Sequence, residues 1–274
     1  MDKKIAFLGT GNMASAIING ITAPDSAAHV DESRIVLYDI DQSKYAPYQN
    51  RSFILASSPV EAATIADYIV LAVKPQNYQT LLLELKRGVN SLSGKVFVSL
   101  AAGISTASIA DTLGQDVAIV RTMPNTPLLA GYGVTALCRN DKVSDDDFNR
   151  IRGIFDSRGM TALLPESDMN KIISATSSAP AYVYTFIKAI YDGASAQGLE
   201  NEALLEMICR TVIGSAEMVL RSKMPLDELI RMVTSPKGTT ERALEVLNSH
   251  DFSDIIALAM KKCTERADEL SKEL

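Results

Sequence analysis

The segment that most constrains this chain is a glycine-rich turn close to its start. Ile5 to Leu8 is a short apolar run typical of a buried parallel strand. Gly9-Thr10-Gly11-Asn12-Met13-Ala14 follows and matches G-x-G-x-x-A, and Ile17 and Ile21 continue at helical spacing. This strand–turn–helix pattern predicts a dinucleotide-binding unit in which a pyrophosphate approaches Gly11 and the helix N-terminus. A glycine turn without a ligand is the alternative.

A second strand is predicted in the segment RIVLYDI, which contains Asp39 close to its end. A carboxylate at this place accepts hydrogen bonds from the adenosine ribose of NAD, and it would repel the 2′-phosphate of NADP. Asp39 therefore favours NADH over NADPH. Two alternatives stay open: Ser43 and Lys44 hold a phosphate while Asp39 points away, or Asp39 only starts a turn.

Further apolar strands alternate with helices over the first 163 residues. The strand segments are ADYIVLAVKPQ, KVFVSLAAGIS, AIVRTMPNTP, GVTALCR and MTALLPE, and the intervening helices include 78–85 and 106–113. This alternation predicts a doubly wound parallel sheet, which binds ligands at the carboxyl ends of its strands. The segments AVKP, SLAAG and TMPNTP fall at such ends, so we expect them to line one cleft.

The strand signals stop near Leu164, and five helical segments follow. Pro180 predicts a kink or break in the first of these helices. Several of the helices are apolar on more than one face, which is typical of helices that pack against a second subunit. We therefore expect an α/β fold: a Rossmann-like domain over residues 1–163 and an all-α dimerisation domain over 164–274. A self-contained helical bundle is the alternative.

Composition narrows the chemistry. Among the 274 residues, 27 are basic and 33 acidic, and no basic tract suggests nucleic acid. The three cysteines contain no C-x-x-C pair, and only two histidines are present, so the sequence predicts neither a metal site nor a histidine acid. No apolar run approaches the length of about 18 residues that a membrane span needs, so we expect a cytoplasmic protein without membrane partners.

A Ser-Pro-Lys-Gly-Thr-Thr loop interrupts the helical half at residues 235–240. Pro236 fixes a turn, Gly238 leaves the backbone bare, and Thr239 and Thr240 begin the next helix. Free N–H groups and a hydroxyl at a helix start suit a small carboxylate ligand. An ordinary helix cap explains the same residues, and the residues alone do not separate the two readings.

At this loop the chain resembles a known family, the pyrroline-5-carboxylate reductases. The resemblance spans essentially the whole chain and rests on FLGTGNMASAI, AVKPQ, AAGIS, RTMPNTP, SSAPAYVYTFIKAIYDGASAQGL and, most specifically, MVTSPKGTTERALEVL. It implies a nicotinamide-binding Rossmann domain, a helical dimerisation domain and, in many members, a decameric ring of dimers. The implied reaction is hydride transfer from NADH or NADPH to C5 of the pyrroline ring, which gives proline.

The resemblance also implies the site residues. The cofactor would contact three loops, made of Gly9, Thr10, Gly11, Asn12 and Met13, of Ala72, Val73, Lys74 and Pro75, and of Ala101, Ala102 and Gly103. Ser235, Gly238, Thr239 and Thr240 would hold the substrate carboxylate. Thr240 would also hydrogen-bond the ring nitrogen. The resemblance thus implies that Thr240 and Ser235 are the catalytic residues.

The chain departs from the family pattern in two places. Lys237 stands where the family usually has glycine, and Ser177-Ser178-Ala179-Pro180 replaces Gly-Ser-Gly-Pro or Gly-Ser-Ser-Pro. Lys237 either aids carboxylate binding or points to solvent. Two other functions stay open: a non-catalytic dinucleotide-binding relative, and a reductase of another cyclic imine acid.

Overall fold

The computed structural model describes residues 3–114 and 116–272. Eight strands form one sheet in the order β3-β2-β1-β4-β5-β6-β7-β8. Their bounds are β1 Ile5–Leu8, β2 Ile35–Tyr38, β3 Ile54–Leu55, β4 Tyr68–Leu71, β5 Val96–Ser99, β6 Ala118–Met123, β7 Gly133–Arg139 and β8 Gly159–Leu163. The predicted Rossmann-like fold is confirmed, and the chain order reverses between β1 and β4.

Ten α-helices accompany the sheet in the described part of the chain. They are α1 Asn12–Thr22, α2 Pro59–Ile65, α3 Tyr78–Gly88, α4 Thr106–Leu113, α5 Asp145–Asp156, α6 Ala179–Ala196, α7 Leu204–Ser222, α8 Leu226–Met232, α9 Thr239–Ser249 and α10 Phe252–Leu270. None of the helices built from described residues is long and apolar enough to span a bilayer.

Alternation along β1 explains the two helix layers. Ile5 and Phe7 belong to a buried cluster that includes α1 and α5 side chains, such as Ile17 and Ile151. Ala6 and Leu8 point to the opposite face and join a cluster with side chains from α2, α3 and α4. A strand buried on both faces reads as a continuous apolar run, which is why this pattern predicted it well.

The two strands beyond the parallel part of the sheet, β7 and β8, run in the opposite direction to β1 to β6. β1 to β6 are parallel, whereas β7 is antiparallel to β6, and β8 is parallel to β7. The connection from Met123 to Gly133 is too short for the dozen or more residues that a parallel crossover needs. The predicted doubly wound parallel sheet is confirmed for β1 to β6, whereas β7 and β8 run in the opposite direction. The two-residue β3 was not predicted.

The chain packs as two compact units. One contains the residues up to Ser178 together with those from Cys263 onwards, and the other is Ala179–Lys262. The end of α10 thus belongs to the sheet unit, where Ala267 joins a buried cluster with Met123 and Met169. The predicted domain boundary between residues 163 and 164 stays a prediction.

The first predicted helix of the second half is interrupted where Pro180 suggested. A π-helical turn, Ile173–Ser177, precedes α6, and the Ser178 N–H donates to the Ile173 carbonyl at 2.8 Å. Within Ala179–Lys262, Leu204 and Ile208 are the only buried side chains. The apolar faces of these helices are therefore largely exposed in the single chain.

The register of β7 and β8 yields a first prediction. Gly133 and Gly159 are paired, and a Cβ on Gly159 would overlap the Gly133 carbonyl oxygen. We expect Gly159→Ala to lower the free energy of unfolding by about 1–3 kcal/mol, because the paired backbones must separate. Urea denaturation of the full chain measures this change.

Gly153→Ala in α5 is the matched control. The nearest heavy atom to its added Cβ lies 4.0 Å away, and a helical glycine-to-alanine change stabilises by about 0.5–1 kcal/mol. An unfolding free energy for Gly159→Ala equal to the parent's would contradict the steric argument.

Candidate active site

The turn after β1 depends on a close backbone approach. Gly9 has a φ of +102°, and its N–H donates to the Tyr38 carbonyl at 2.7 Å. A Cβ at this position would lie 2.7 Å from the Ala72 carbonyl oxygen. Both the left-handed φ and the lack of space require glycine here. The first predicted cofactor loop is thereby packed against the start of the second, Ala72–Pro75.

The N-terminus of α1 fits an anionic ligand. Gly11 is its N-cap, with no side-chain cap, and a Cβ on Gly11 would meet no atom within 4 Å. The first N–H groups of a helix have no partner four residues earlier, and the positive end of the helix dipole lies there. Open space beside an uncapped helix start is what a dinucleotide pyrophosphate requires. Asn12 and Met13 lie in this first turn.

Asp39 is turned towards the glycine loop. Its Oδ2 accepts the Thr10 N–H at 2.7 Å and the Thr10 hydroxyl at 3.1 Å, and its Oδ1 accepts the Asp41 N–H at 3.0 Å. The Lys44 ammonium lies 3.2 Å from Oδ2, while the Asp39 side chain is only 5% exposed. The carboxylate is therefore occupied by groups of the protein itself.

The same contacts govern the ionisation of Asp39. Burial of the carboxyl group opposes ionisation, but hydrogen bonds from Thr10, Asp41 and Lys44 outweigh it and hold the Asp39 pKa below its ordinary value. Asp39 thus remains an anion at neutral pH. Its charge is balanced by Lys44 rather than presented to solvent.

The other two predicted cofactor loops follow β4 and β5. Ala72 continues the ladder, with its N–H 2.9 Å from the Leu8 carbonyl, and Lys74 is exposed beyond it. Ala101 is buried, whereas Gly103 has a φ of +80°, and a Cβ there would lie 2.7 Å from the Ala267 carbonyl oxygen. The structure thus gives Gly103 a packing role against the end of α10.

A buried polar network that was not singled out from the sequence supports the loop after β5. Arg121, in β6, is 2% exposed and donates to the Asn170 side chain at 2.6 Å. Glu166 lies 3.7 Å from Arg121 and accepts both the N–H and the hydroxyl of Thr106 at 2.7 Å. Since Thr106 begins α4, this network fixes the end of the loop that carries Ala101–Gly103.

A sequence signal for this network exists. Arg121 interrupts an otherwise apolar strand, and a charged residue in a buried strand needs a partner. Asn170 extends the network to α10, because its side-chain amide donates to Asp268 at 2.7 Å. The partners Glu166 and Asn170 lie more than 40 residues further along the chain, so the sequence alone does not identify them.

The predicted substrate loop lies in the helical unit. The Gly238 N–H donates to the Ser235 carbonyl at 2.9 Å, and a Cβ on Gly238 would lie 2.8 Å from that oxygen. Gly238 is the N-cap of α9, and no side chain caps this end. Ser235 and Thr239 are exposed, and Thr240 is half-buried. The four predicted substrate residues therefore share one tight turn at an uncapped helix start.

Side chains that could bind a metal ion do not cluster in the described part of the chain. Over residues 3–114 and 116–272, no group of three or more His, Cys, Asp and Glu side chains is placed to hold a metal ion. Burial raises the pKa of the Cys138 thiol to about 11, so this cysteine is a poor thiolate ligand.

A Rossmann-like sheet with an open glycine turn, followed by a helical unit, defines a dinucleotide-dependent oxidoreductase of the nicotinamide class. Two family descriptions match separate parts of the chain. Residues 4–103 match the family described as NADP oxidoreductase, coenzyme F420-dependent, and residues 166–270 match pyrroline-5-carboxylate reductase dimerisation.

Full-length relatives are more specific. The chain is 36% identical to the pyrroline-5-carboxylate reductase of Escherichia coli, covering 99% of this chain and 100% of that protein. A Plasmodium falciparum pyrroline carboxylate reductase structure with NADP bound superposes with a TM-score of 0.89 at 30% identity, covering 98% of both chains. A Coxiella burnetii pyrroline-5-carboxylate reductase structure gives 0.84 at 32% identity and 99% coverage of both. The chain belongs to the pyrroline-5-carboxylate reductase family.

Proposed function

We propose that this protein reduces 1-pyrroline-5-carboxylate to L-proline with a nicotinamide cofactor, the last step of proline biosynthesis. The observation that carries the proposal is the full-length match to pyrroline-5-carboxylate reductases, at 36% identity to the Escherichia coli enzyme. The turn at Ser235–Thr240 presents an exposed Ser235 beside the start of α9, which supports a carboxylate site in the helical unit.

Separate residues bind the cofactor pyrophosphate, the substrate carboxylate and the nitrogen of the pyrroline ring. When bound, the reduced nicotinamide supplies a hydride to C5 of the pyrroline ring. The N-terminus of α1 holds the cofactor pyrophosphate, and the loops at Ala72–Pro75 and Ala101–Gly103 complete the cofactor site. Ser235 and the N–H groups of Thr239 and Thr240 hold the substrate carboxylate, while Gly238 closes the turn through its own hydrogen bond to the Ser235 carbonyl.

Thr240 orients the ring nitrogen. The imine takes its proton from water before reduction, so the cation C5=N–H⁺ accepts the hydride and its nitrogen keeps the proton as the amine of proline. This reaction needs no histidine acid, since the protein must only align the imine. The Thr240 hydroxyl, at the first turn of α9, provides a neutral hydrogen-bonding group for that alignment.

The catalytic role of Thr240 predicts a large rate effect. We expect Thr240→Ala to lower kcat by about a hundredfold, the lower part of the range for a lost transition-state hydrogen bond, here one that the Thr240 hydroxyl oxygen accepts from the protonated imine N–H. The measurement is NADPH or NADH oxidation with pyrroline-5-carboxylate, combined with the melting temperature. If the Thr240 hydroxyl does not contact the imine, the variant keeps the parent kcat, and the melting temperature shows whether the residue has only a structural role.

Thr234→Ala is the matched control. The Thr234 hydroxyl donates to the Ile230 carbonyl at 2.7 Å, at the C-terminal end of α8. Its kcat should equal that of the parent. A panel of other cyclic imine acids tests whether the protein is instead a reductase of one of them. A higher kcat/KM for one of these acids than for pyrroline-5-carboxylate would make that acid the substrate.

For the cofactor we propose that NADPH is used at least as well as NADH. The expected NADH preference depended on an Asp39 carboxylate free to accept ribose hydroxyls. That carboxylate is instead occupied by Thr10, Asp41 and Lys44. Lys44 is 44% exposed, so it offers a cation at the place where a 2′-phosphate is expected. The related Plasmodium falciparum structure has NADP bound.

Lys44 is therefore the residue to change. We expect Lys44→Met to lower the ratio of kcat/KM for NADPH to that for NADH by about tenfold, as for one lost charge-assisted hydrogen bond. The reason is twofold: the variant removes a cation and leaves the Asp39 charge unbalanced.

Lys142→Met is the control, since Lys142 pairs with Asp116 at 2.8 Å in another exposed ion pair. That variant should keep the parent ratio. A Lys44→Met ratio equal to the parent ratio would rule out phosphate recognition at this position.

We also propose that the chain forms a homodimer through its helical unit, and that dimers assemble into a decameric ring. Supporting this, the matched dimerisation family covers residues 166–270. Apolar side chains on α7 are exposed in the single chain, among them Ile213 at 59% and Leu220 at 74%. Exposed apolar faces of this extent favour burial against a second copy.

Light scattering tests the dimer. We expect the parent to have at least twice the chain mass at micromolar concentration, and Ile213→Asp to dissociate because burying an unpaired carboxylate costs about 3–5 kcal/mol. Ile213→Val keeps the apolar surface and should stay dimeric. A monomeric parent would refute the dimer, and a dimer without larger species would refute only the ring.

The cytoplasmic location stays a prediction.

A further inference from the structure

The substrate turn contains one residue in an unfavourable backbone conformation. Lys237 has a φ of +61°, the left-handed region that glycine adopts freely and other residues rarely enter. It lies between Ser235 and Gly238, whose hydrogen bond closes the turn. A residue that is not glycine persists in this region only when its surroundings hold it there.

Glu241 provides the holding contact. The Lys237 N–H donates to Glu241 Oε2 at 2.7 Å, so the carboxylate reaches back across the start of α9. Glu241 is the third residue of that helix, where a negative charge is favoured by the helix dipole. A hydrogen bond to a charged acceptor is stronger than one to a neutral group, which suits it to offset backbone strain.

We propose that Glu241 is a positioning residue for the substrate turn: its carboxylate keeps Lys237 left-handed and thereby sets where the Ser235 hydroxyl and the first N–H groups of α9 present their donors. Without Glu241, Lys237 relaxes towards ordinary φ values and the Ser235–Gly238 turn opens. This inference rests on the proposed function, because it assigns the turn to the substrate carboxylate. Thr240 is held by α9 itself, so the change falls on substrate binding more than on chemistry.

The test compares kinetic constants across a small set of full-length variants. We expect Glu241→Ala to raise the KM for pyrroline-5-carboxylate about five- to tenfold, the effect of losing one hydrogen bond that fixes the turn. The kcat should fall less than about twofold, and the KM for NADPH should not change, since α1 and the other cofactor loops are untouched. Glu241→Gln retains an oxygen acceptor and should keep the KM within about twofold of the parent.

Rescue separates this role from direct contact with substrate. In a Lys237→Gly background the backbone needs no restraint, so adding Glu241→Ala should leave the KM unchanged within about twofold. Glu245→Ala is the matched control on the same helix, because Glu245 pairs with Arg242 at 2.8 Å in an exposed ion pair. That variant should have the parent KM.

The possible results distinguish a failure of the proposed function from a failure of the positioning role of Glu241. An inactive parent would overturn the proposed function and the positioning role together. An active parent with an unchanged KM in Glu241→Ala, or an equal KM rise in the Lys237→Gly background, would overturn the positioning role alone. Urea unfolding gives a readout without substrate. Glu241→Ala should lower the midpoint more in the parent than in the Lys237→Gly background, because the helix-dipole contribution of Glu241 is lost in both but the left-handed residue needs a restraint only in the parent. An equal shift in both would also overturn the proposal.

Discussion

The Asp39 carboxylate is the contact on which the cofactor end of the sheet depends. It bonds the backbone and hydroxyl of Thr10, the residue between the two glycines of the turn. Gly9 can then lie against the Ala72 carbonyl, and α1 begins with open space at Gly11. An acidic residue at the end of the second strand thus organises the turn from within, with Lys44 balancing its charge. This differs from a carboxylate exposed to a ribose.

The helical unit follows a different physical rule. Within Ala179–Lys262, the buried side chains are Leu204 and Ile208, so the unit has almost no core of its own. Its helices form because apolar residues recur along them at helical spacing, and Pro225 precedes the first residue of α8. Their stability in water requires that the remaining apolar faces be covered. These exposed faces lie in the part of the chain that matches the dimerisation family.

Prediction from sequence succeeded where one pattern determined one structure. β7 and α4 were predicted at their observed bounds, and the start of α9 was predicted at Thr239, because turn residues and breakers mark these ends. The direction of β7 was missed, since it depends on the length of a connection rather than on the strand's own residues. The glycine turn was placed correctly, whereas the orientation of Asp39 depends on Thr10 and Lys44, which no periodicity reveals. Glu166 and Asn170 were missed because their roles arise from contacts distant in sequence.

The return of the chain to the sheet unit has a consequence for biosynthesis. Ala267, near the end of α10, covers Gly103 and shares a buried cluster with Met123 and Met169. A ribosome releases these covering residues only after the whole helical unit has been made. The nascent sheet unit therefore waits with that cluster unsealed while Ala179–Lys262 is made, and its loop after β5 reaches its final packing only near the end of synthesis. Nonsense mutations late in the reading frame should accordingly damage the nucleotide-binding end of the protein, although the lost codons lie far from it in sequence.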